Sequence, residues 1–508
     1  MKIIVLGGGS AGWMSASTLI KTFPDYDITV IESPNTPIIG VGESTIGGIK
    51  NWTQYLGIDD KEFLKYTDGS YKLSIRFQDF YKKDGSAFHY PFGPPTSENF
   101  TEDQINWWFK KSFFPNTPNS DYVDCFYPQM SMVNQNKFTL KHESNVYTAY
   151  HFDAVKFGMW LRENFCIPRG VKHIVENIDT IEKNDDGIVS LNGKHKADLY
   201  IDCTGFKSML LSDALEEPFE SYEDLLPNNS AWATRVQYKD KEKELVSYTN
   251  CTAIDNGWVW QIPLWSRMGT GYVYSDKYVS DEDALQEFKN FIGEGADNLE
   301  YKNIKMRVGI HRRLWVKNVV AVGLSAGFIE PLESNGLFTV HEFLIRLVRN
   351  LNKEKITQFD KDNYTYMCKI LFRNFAEFVA QHYALSRRDD TPYWKDLSNK
   401  QWDDKLITLE PFILKGIAHS SVERMDNNYY NPFAGFHCIA AGMNWNPNDL
   451  SWWAYNNQID YSKVNDYQHN FQLIFDQFER NKKKWNDSVK DLPSLYQWLK
   501  QEVYQDDF

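Results

Sequence analysis

The sequence predicts a mixed α/β fold with a mostly helical C-terminal region, and three observations carry that prediction. A continuous apolar run, Ile3-Ile4-Val5-Leu6, ends in a glycine cluster at the start of the chain. Two further strand-like runs ending in turn residues, 197–208 and 318–336, recur far downstream. From about residue 346 helical patterns and aromatics prevail. These divide the chain into an expected unit over 1–345, with inserted sheet elements, and a mainly helical region over 346–508. With 508 residues, 42% hydrophobic and 24% charged, the chain is long enough for a large core and more than one layer.

The first run has no polar alternation, as expected for a strand buried on both faces of a parallel sheet. Gly7-Gly8-Gly9-Ser10-Ala11-Gly12 follows it. In this G-x-G-x-x-G pattern Gly7 makes the tight turn, Gly9 lets a pyrophosphate approach the backbone, and Gly12 lets a helix pack on the strand. The helical stretch Trp13 to Lys21 comes next, and "DITVIES" places Glu32 at the end of a second strand, in reach of a ribose hydroxyl. This strand-turn-helix context points to an adenine dinucleotide and a Rossmann-like unit. The fingerprint alone does not separate FAD from NAD. The returning strands, one ending at Asp202-Cys203-Thr204-Gly205 and one in the turn at Gly323, resemble flavoproteins whose FAD domain is assembled from separated segments, which favours FAD.

In "GWVWQIPLW" (257–265) the two-residue strand period puts Trp258 and Trp260 on one face, and Pro263 removes a ladder donor where the strand ends. On this stretch alone a core strand rich in aromatics is the ordinary reading. Lys72 lies in the alternating stretch Tyr71 to Phe77, on the side of Ser74 and Arg76 and opposite Leu73, Ile75 and Phe77, so alternation alone predicts an exposed lysine. Glu333 and Ser334 stand just before a helix expected over Leu337 to Arg349. The loop Ser334-Asn335-Gly336 offers free backbone N–H groups at a positive helix end, which attract anions.

The bulk composition excludes several classes. A formal net charge of −13, with no basic run longer than Lys482 to Lys484, argues against nucleic-acid binding. That triplet reads as a solvated helix face. Cys125, Cys166, Cys203, Cys251, Cys368 and Cys438 are far apart and show no C-x-x-C spacing, so neither a disulfide framework nor a metal site is expected, and a reducing cytoplasm fits. No stretch approaches transmembrane length, and the N-terminus reads as a strand rather than a signal peptide.

Taken together, the opening glycine motif, Lys72 in "SYKLSIRF" (70–77), W-x-W-x-I-P at 258–263 and "PLESNG" (331–336) resemble the flavin-dependent halogenases of the tryptophan halogenase type, from residue 1 to about 345. The resemblance implies that Lys72 and Glu333 are catalytic, with Ser334 beside them. It also implies that "IGVGESTI" (39–46) is a mobile strap over the flavin, bringing Gly40, Val41, Gly42, Glu43 and Ser44 to the cofactor. Trp258, Trp260 and Pro263 become a wall between flavin and substrate, so that the oxidant meets halide first. Hypohalous acid then travels to a pocket where Lys72 polarises it or forms an N-halo species, and Glu333 accepts the proton released by the arene. Tyr90 and Phe92 of "FHYPFG" (88–93) face the substrate in that family, and the backbone at Asn335 and Gly336 holds halide. No second dinucleotide fingerprint is present, so FADH2 is expected from a separate NAD(P)H-dependent flavin reductase, with O2 and a halide ion as co-substrates. No nucleic acid or membrane partner is expected, and a homo-oligomer is left open.

Two departures stand out. Asn335 replaces the usual threonine of Ser-Thr-Gly, so bromide or iodide competes with chloride as the expected halide. Tyr429-Tyr430 is followed by "NPFAGFHCIAAGMNW" without the acid and Phe-Trp pair that clamp free tryptophan, which points to an electron-rich aromatic substrate of another kind. The competing readings are a flavin-dependent hydroxylase on the same fold and a non-catalytic flavin-binding protein.

Overall fold

The chain opens with β1 (Lys2–Leu6), whose Ile3 to Leu6 side chains are all buried, as a strand covered on both faces requires. A turn at Gly7, φ 116°, leads into α1 (Ser10–Thr22), and β2 (Asp27–Glu32) returns parallel to β1. α1 begins earlier than the apolar pattern predicts, because the Gly9 carbonyl already accepts from Trp13 N–H at 3.1 Å. The returning strand Leu199–Asp202 pairs parallel with β1, from Ile3 opposite Leu199 to Leu6 opposite Asp202, and Val319–Ala321 pairs beyond it. Lys172–Val175 and Trp315–Val316 complete a six-stranded sheet. The structure is a computed structural model and describes residues 1–35, 42–93, 95–96, 106–108, 110–111, 113–141, 147–402, 433–444, 460, 462–463, 466 and 468–505.

Four short strands carry the second half of the architecture: β3 (Gly42–Ser44), β4 (Ser70–Lys72), β5 (Ser74–Gln78) and β6 (Ala149–Asp153). β3 and β4 flank β6 in one antiparallel sheet. β5 instead pairs in parallel with β7 (Tyr248–Ile254), within a seven-stranded sheet that continues through β8 (Gly257–Pro263). The expected single alternating strand over Tyr71 to Phe77 is therefore broken at Leu73, whose N–H turns aside to Ser247 O at 2.7 Å. Two sheets meet at the break, so both faces are covered and Lys72 is 0% exposed instead of facing water.

Beyond residue 330 the described chain is helical. α2 (Gly336–Leu351) lies against α1, and α3 (Gln358–Ala384) starts at a capping box between Thr357 and Asp360. Phe433–Gly442 packs on the strand Ala87–Pro91, and Gln468–Ser488 packs on Asp121–Phe126. That last contact corrects the reading of the lysine triplet: Lys483 and Lys484 are exposed, but Lys482 is drawn inward to Asp121 and Glu479, each at 2.6 Å. All six cysteines are free thiols. Among the described residues no helix is long and apolar enough to cross a membrane.

Candidate active site

The glycine loop after β1 is shaped by contact on one side and by space on the other. A Cβ on Gly7 would lie 2.2 Å from Cys203 O, and one on Gly12 would lie 1.9 Å from Gly7 O, so helix, turn and returning strand close tightly. Among the described residues a Cβ on Gly9 or on Gly205 would meet nothing within 4 Å, which leaves room above the turn for a pyrophosphate. A Cβ on Gly323 would come 2.8 Å from Ala11 Cβ, which brings the second returning turn to the same loop. Glu32 presses against Gly8, and its Oε1 pairs with His173 Nε2 at 2.6 Å and lies 3.6 Å from Arg162. Neither His173 nor Arg162 carries a sequence signal of its own. The residues present thus fit a dinucleotide, with Ser10 and Ala11 in the first turn of α1. Gly40 and Val41 lie outside the described residues, whereas Gly42, Glu43 and Ser44 form β3.

At the other end of the site Lys72 Nζ donates to Ser44 Oγ at 2.7 Å, Ser334 Oγ at 2.8 Å and Thr45 O at 2.9 Å, and sits 5.0 Å from the Phe92 ring. Burial brings its pKa down from 10.5 to about 7, opposed by Cys251 and Glu333. Ser334 reaches it because the short turn Pro331–Glu333 ends with Ser334 left-handed, φ 56°. Glu333 is also fully buried, and its Oε1 lies 3.0 Å from His382 Nε2. Burial pushes the Glu333 carboxyl up, while His382 and Lys72 pull it down. His382 comes from α3, packs tilted against Phe77 with ring centroids 4.6 Å apart and places Nδ1 3.1 Å from Val379 O. No motif marks it, because its partner lies in a separate element.

Trp258 and Trp260 project from one face of β8, as the period predicts, with ring centroids 6.2 Å apart. Trp258 Nε1 donates to Glu330 Oε2 at 2.9 Å, and the same oxygen accepts from Asn228 and from Tyr383, each at 2.8 Å. β8 ends at Pro263, whose carbonyl accepts from Ser70 at 2.7 Å. Asn335 is buried, its Oδ1 without a hydrogen-bond partner among the described residues, and Gly336 opens α2. Glu43 Oε2 lies 4.0 Å from the Cβ position of Gly336, and burial together with Asp153 raises its pKa to about 7. Tyr90 and Phe92 are buried edge to face at 5.9 Å, with Tyr90 against Phe378. Tyr429, Tyr430 and the ends of the 431–445 segment lie outside the described residues. Lys72, Glu333, Ser334, Ser44 and Phe92 are therefore one cluster, and Glu32 belongs to the glycine loop of the parallel sheet.

Comparison with known proteins gives the family and the fold. The family described as tryptophan halogenase matches residues 2–455. "Tryptophan 6-halogenase SttH" of Streptomyces toxytricini is 34% identical over 438 residues, covering 80% of this chain and 82% of its own length. Its crystal structure superposes with a TM-score of 0.84 at 30% identity, over 98% of this chain and 99% of that one. The structure titled "VirX1 apo structure" superposes with a TM-score of 0.87 at 35% identity, over 99% of both chains. With motif, fold and match extending along most of its length, the chain belongs to the tryptophan halogenase family and is an enzyme of the flavin-dependent halogenase type.

Proposed function

We propose that the protein halogenates an electron-rich aromatic substrate, using FADH2, O2 and a halide, through hypohalous acid guided to the substrate by Lys72 and Glu333. The observation that carries this reading is the fully buried Lys72, held by three oxygen acceptors beside the Glu333–His382 pair. Gly7, Gly9, Ser10, Ala11, Gly12, Glu32, the segment 40–44 and Gly323 would hold the flavin, which in its reduced form would activate O2 for oxidation of the halide. A separate NAD(P)H-dependent flavin reductase provides that form. Trp258, Trp260 and Pro263 keep substrate from flavin, and the backbone at Asn335 and Gly336 receives the halide, with bromide or iodide at least equal to chloride. Tyr90 and Phe92 line the substrate side, beneath the helical region from 346 onward. Lys72 positions the oxidant, and Glu333, beside His382, takes the aryl proton. The relatives are named for tryptophan, but the missing clamp after Tyr430 favours phenols, anilines and indoles, and the setting is cytoplasmic.

The test is mass spectrometry of products from the protein with FAD, NADH and an unrelated flavin reductase, given chloride, bromide and iodide together with an aromatic panel. Halogenated product should fall by about 100-fold or more in Lys72→Ala and in Glu333→Gln. Hydroxylated product in place of halogenated product would overturn the reading in favour of a hydroxylase.

A further inference from the structure

The three ammonium hydrogens of Lys72 are all committed, to Ser44 Oγ, Thr45 O and Ser334 Oγ. An amine must lose one of them before its lone pair can take a halogen. The Thr45 carbonyl does not accept a proton outright, and Ser334 leads, at 3.0 Å, only back to Ser44. Ser44 leads further. Its Oγ lies 2.6 Å from Thr249 Oγ1, which lies 2.9 Å from His151 Nε2.

The direction of every bond in this line is set from its far end. Ser70 gives its single hydroxyl hydrogen to Pro263 O, so at 3.3 Å from His151 Nδ1 it accepts, and Nδ1 carries the ring hydrogen. Nε2 is then an acceptor, Thr249 donates to it, Ser44 donates to Thr249, and Lys72 donates to Ser44. The result is a continuous run of donors from the amine to a free imidazole nitrogen, across β4, β3, β7 and β6. Every member is buried, and both ends are 0% exposed.

We propose that His151 is the proton store of Lys72: through Thr249 and Ser44 it takes one ammonium proton, frees the amine to accept halogen from hypohalous acid, and afterwards returns the proton. This rests on the halogenase reading of Lys72. The steps balance. Lys72-NH3+ and His151 become Lys72-NH2 and His151-H+. The amine and hypohalous acid, HOX, give Lys72-NHX and water, with the N–H bond exchanged for N–X. Transfer of X to the arene gives the aryl halide, while Glu333 takes the aryl proton and delivers it to the nitrogen that gave up X, which restores Lys72-NH2. His151-H+ then returns its proton to the amine. Throughout, one positive charge is shared between two buried bases, which avoids the cost of two like charges in a low-dielectric interior. Burial holds the His151 imidazole well below its ordinary value, with Lys72 acting in the same direction, so the resting proton stays on Lys72. The titratable groups facing Lys72 among the described residues are Cys251 on β7, Glu333 before α2 and His151 on β6.

His151 and Thr249 are positioning residues, so the test must separate relay from packing. Thr249→Val keeps the shape and removes the hydroxyl, and Thr249→Ser keeps the hydroxyl. The expected result is a fall in kcat of about 100-fold for Thr249→Val and for His151→Gln. KM for the aromatic should be unchanged, the rising limb of the pH profile should move to higher pH, and Thr249→Ser should recover most of the rate. Loss in Thr249→Ser equal to that in Thr249→Val, or unchanged rate and pH profile in both Thr249→Val and His151→Gln, overturns the relay. Lys72→Ala run alongside distinguishes the failures: halogenation surviving it refutes the role of Lys72 itself, whereas its loss with intact Thr249 and His151 variants refutes only the relay. A readout free of turnover is the 15N spectrum of histidine-labelled protein, assigned with His151→Gln. The hydrogen of His151 should sit on Nδ1, and a hydrogen on Nε2 overturns the proposal even if a variant fails to fold.

Discussion

Lys72 is a buried cation whose direct partners are neutral oxygens, and that is the origin of its chemistry. Desolvation disfavours the charged form, and no carboxylate is hydrogen-bonded to the ammonium to offset it. With the pKa lowered from 10.5 to about 7, the ammonium holds below that value and the neutral amine grows in as pH rises through it. In Thr249→Val and His151→Gln, where the amine is freed only by losing its proton to solvent, halogenation should therefore rise with pH through about 7 and then level, as rate profiles at fixed flavin supply would record. Lys72→Arg keeps a charge that is not lost at any working pH, so it should lose about 100-fold or more in kcat at every pH. An arginine variant with near-normal rate would show that positioning by a cation is enough and that no amine lone pair takes part.

At the scale of the element, β8 carries the proposed wall between flavin and substrate, and its packing sets where the indoles lie. Trp260 lies flat on Gly271 of the neighbouring strand, where an added Cβ would stand 2.1 Å from Cζ2 and 2.6 Å from Trp232 O. The backbone oxygen leaves no direction to yield, so Gly271→Ala must displace the indole. We expect leakage of oxidant in that variant, measured as flavin reoxidation without product or as hydroxylated product, together with a lowered Tm. The paired tryptophans were legible in the sequence because strand period needs only neighbouring residues. Gly271 was not, since a glycine in a strand reads equally as a weak point. The same limit explains Lys72: alternation predicted a wet lysine because it assumes one continuous sheet, and the change of sheet at Leu73 depends on a carbonyl at Ser247. His382, His151 and Glu330 had no local pattern at all, because each gains its role from a partner in a different element.

Across the whole molecule, the parallel sheet with its glycine loop was readable from one short fingerprint, while the surroundings of Lys72 and Glu333 are assembled by distant pairings such as Arg76 opposite Asn250. One consequence is that Tyr504 supports the strand that carries Lys72. Tyr504 is buried, its hydroxyl is shared between Leu64 O at 3.0 Å and Gly69 O at 2.8 Å, and Gly69 immediately precedes β4. Its ring stacks on Trp265, just after β8, at 4.1 Å with 4° between planes, and Lys241 Nζ lies 3.3 Å from the centre of the Trp265 ring. Tyr504 therefore ties together the entrance of the strand carrying Lys72 and the exit of the strand carrying the tryptophans. Tyr504→Phe keeps the stack but takes the hydroxyl donor from Gly69 O, while Leu64 O keeps Gly69 N–H at 2.8 Å, a loss of about 1–3 kcal/mol. Tyr504→Ala also empties the ring's space, for about 3–5 kcal/mol. Denaturant titration should rank the variants in that order. If the clamp holds β4 in register, kcat should fall in step with stability while flavin affinity stays constant, because the glycine loop lies in a different sheet. A loss of flavin affinity that parallels the loss of stability would mean instead that the tail supports the fold as a whole.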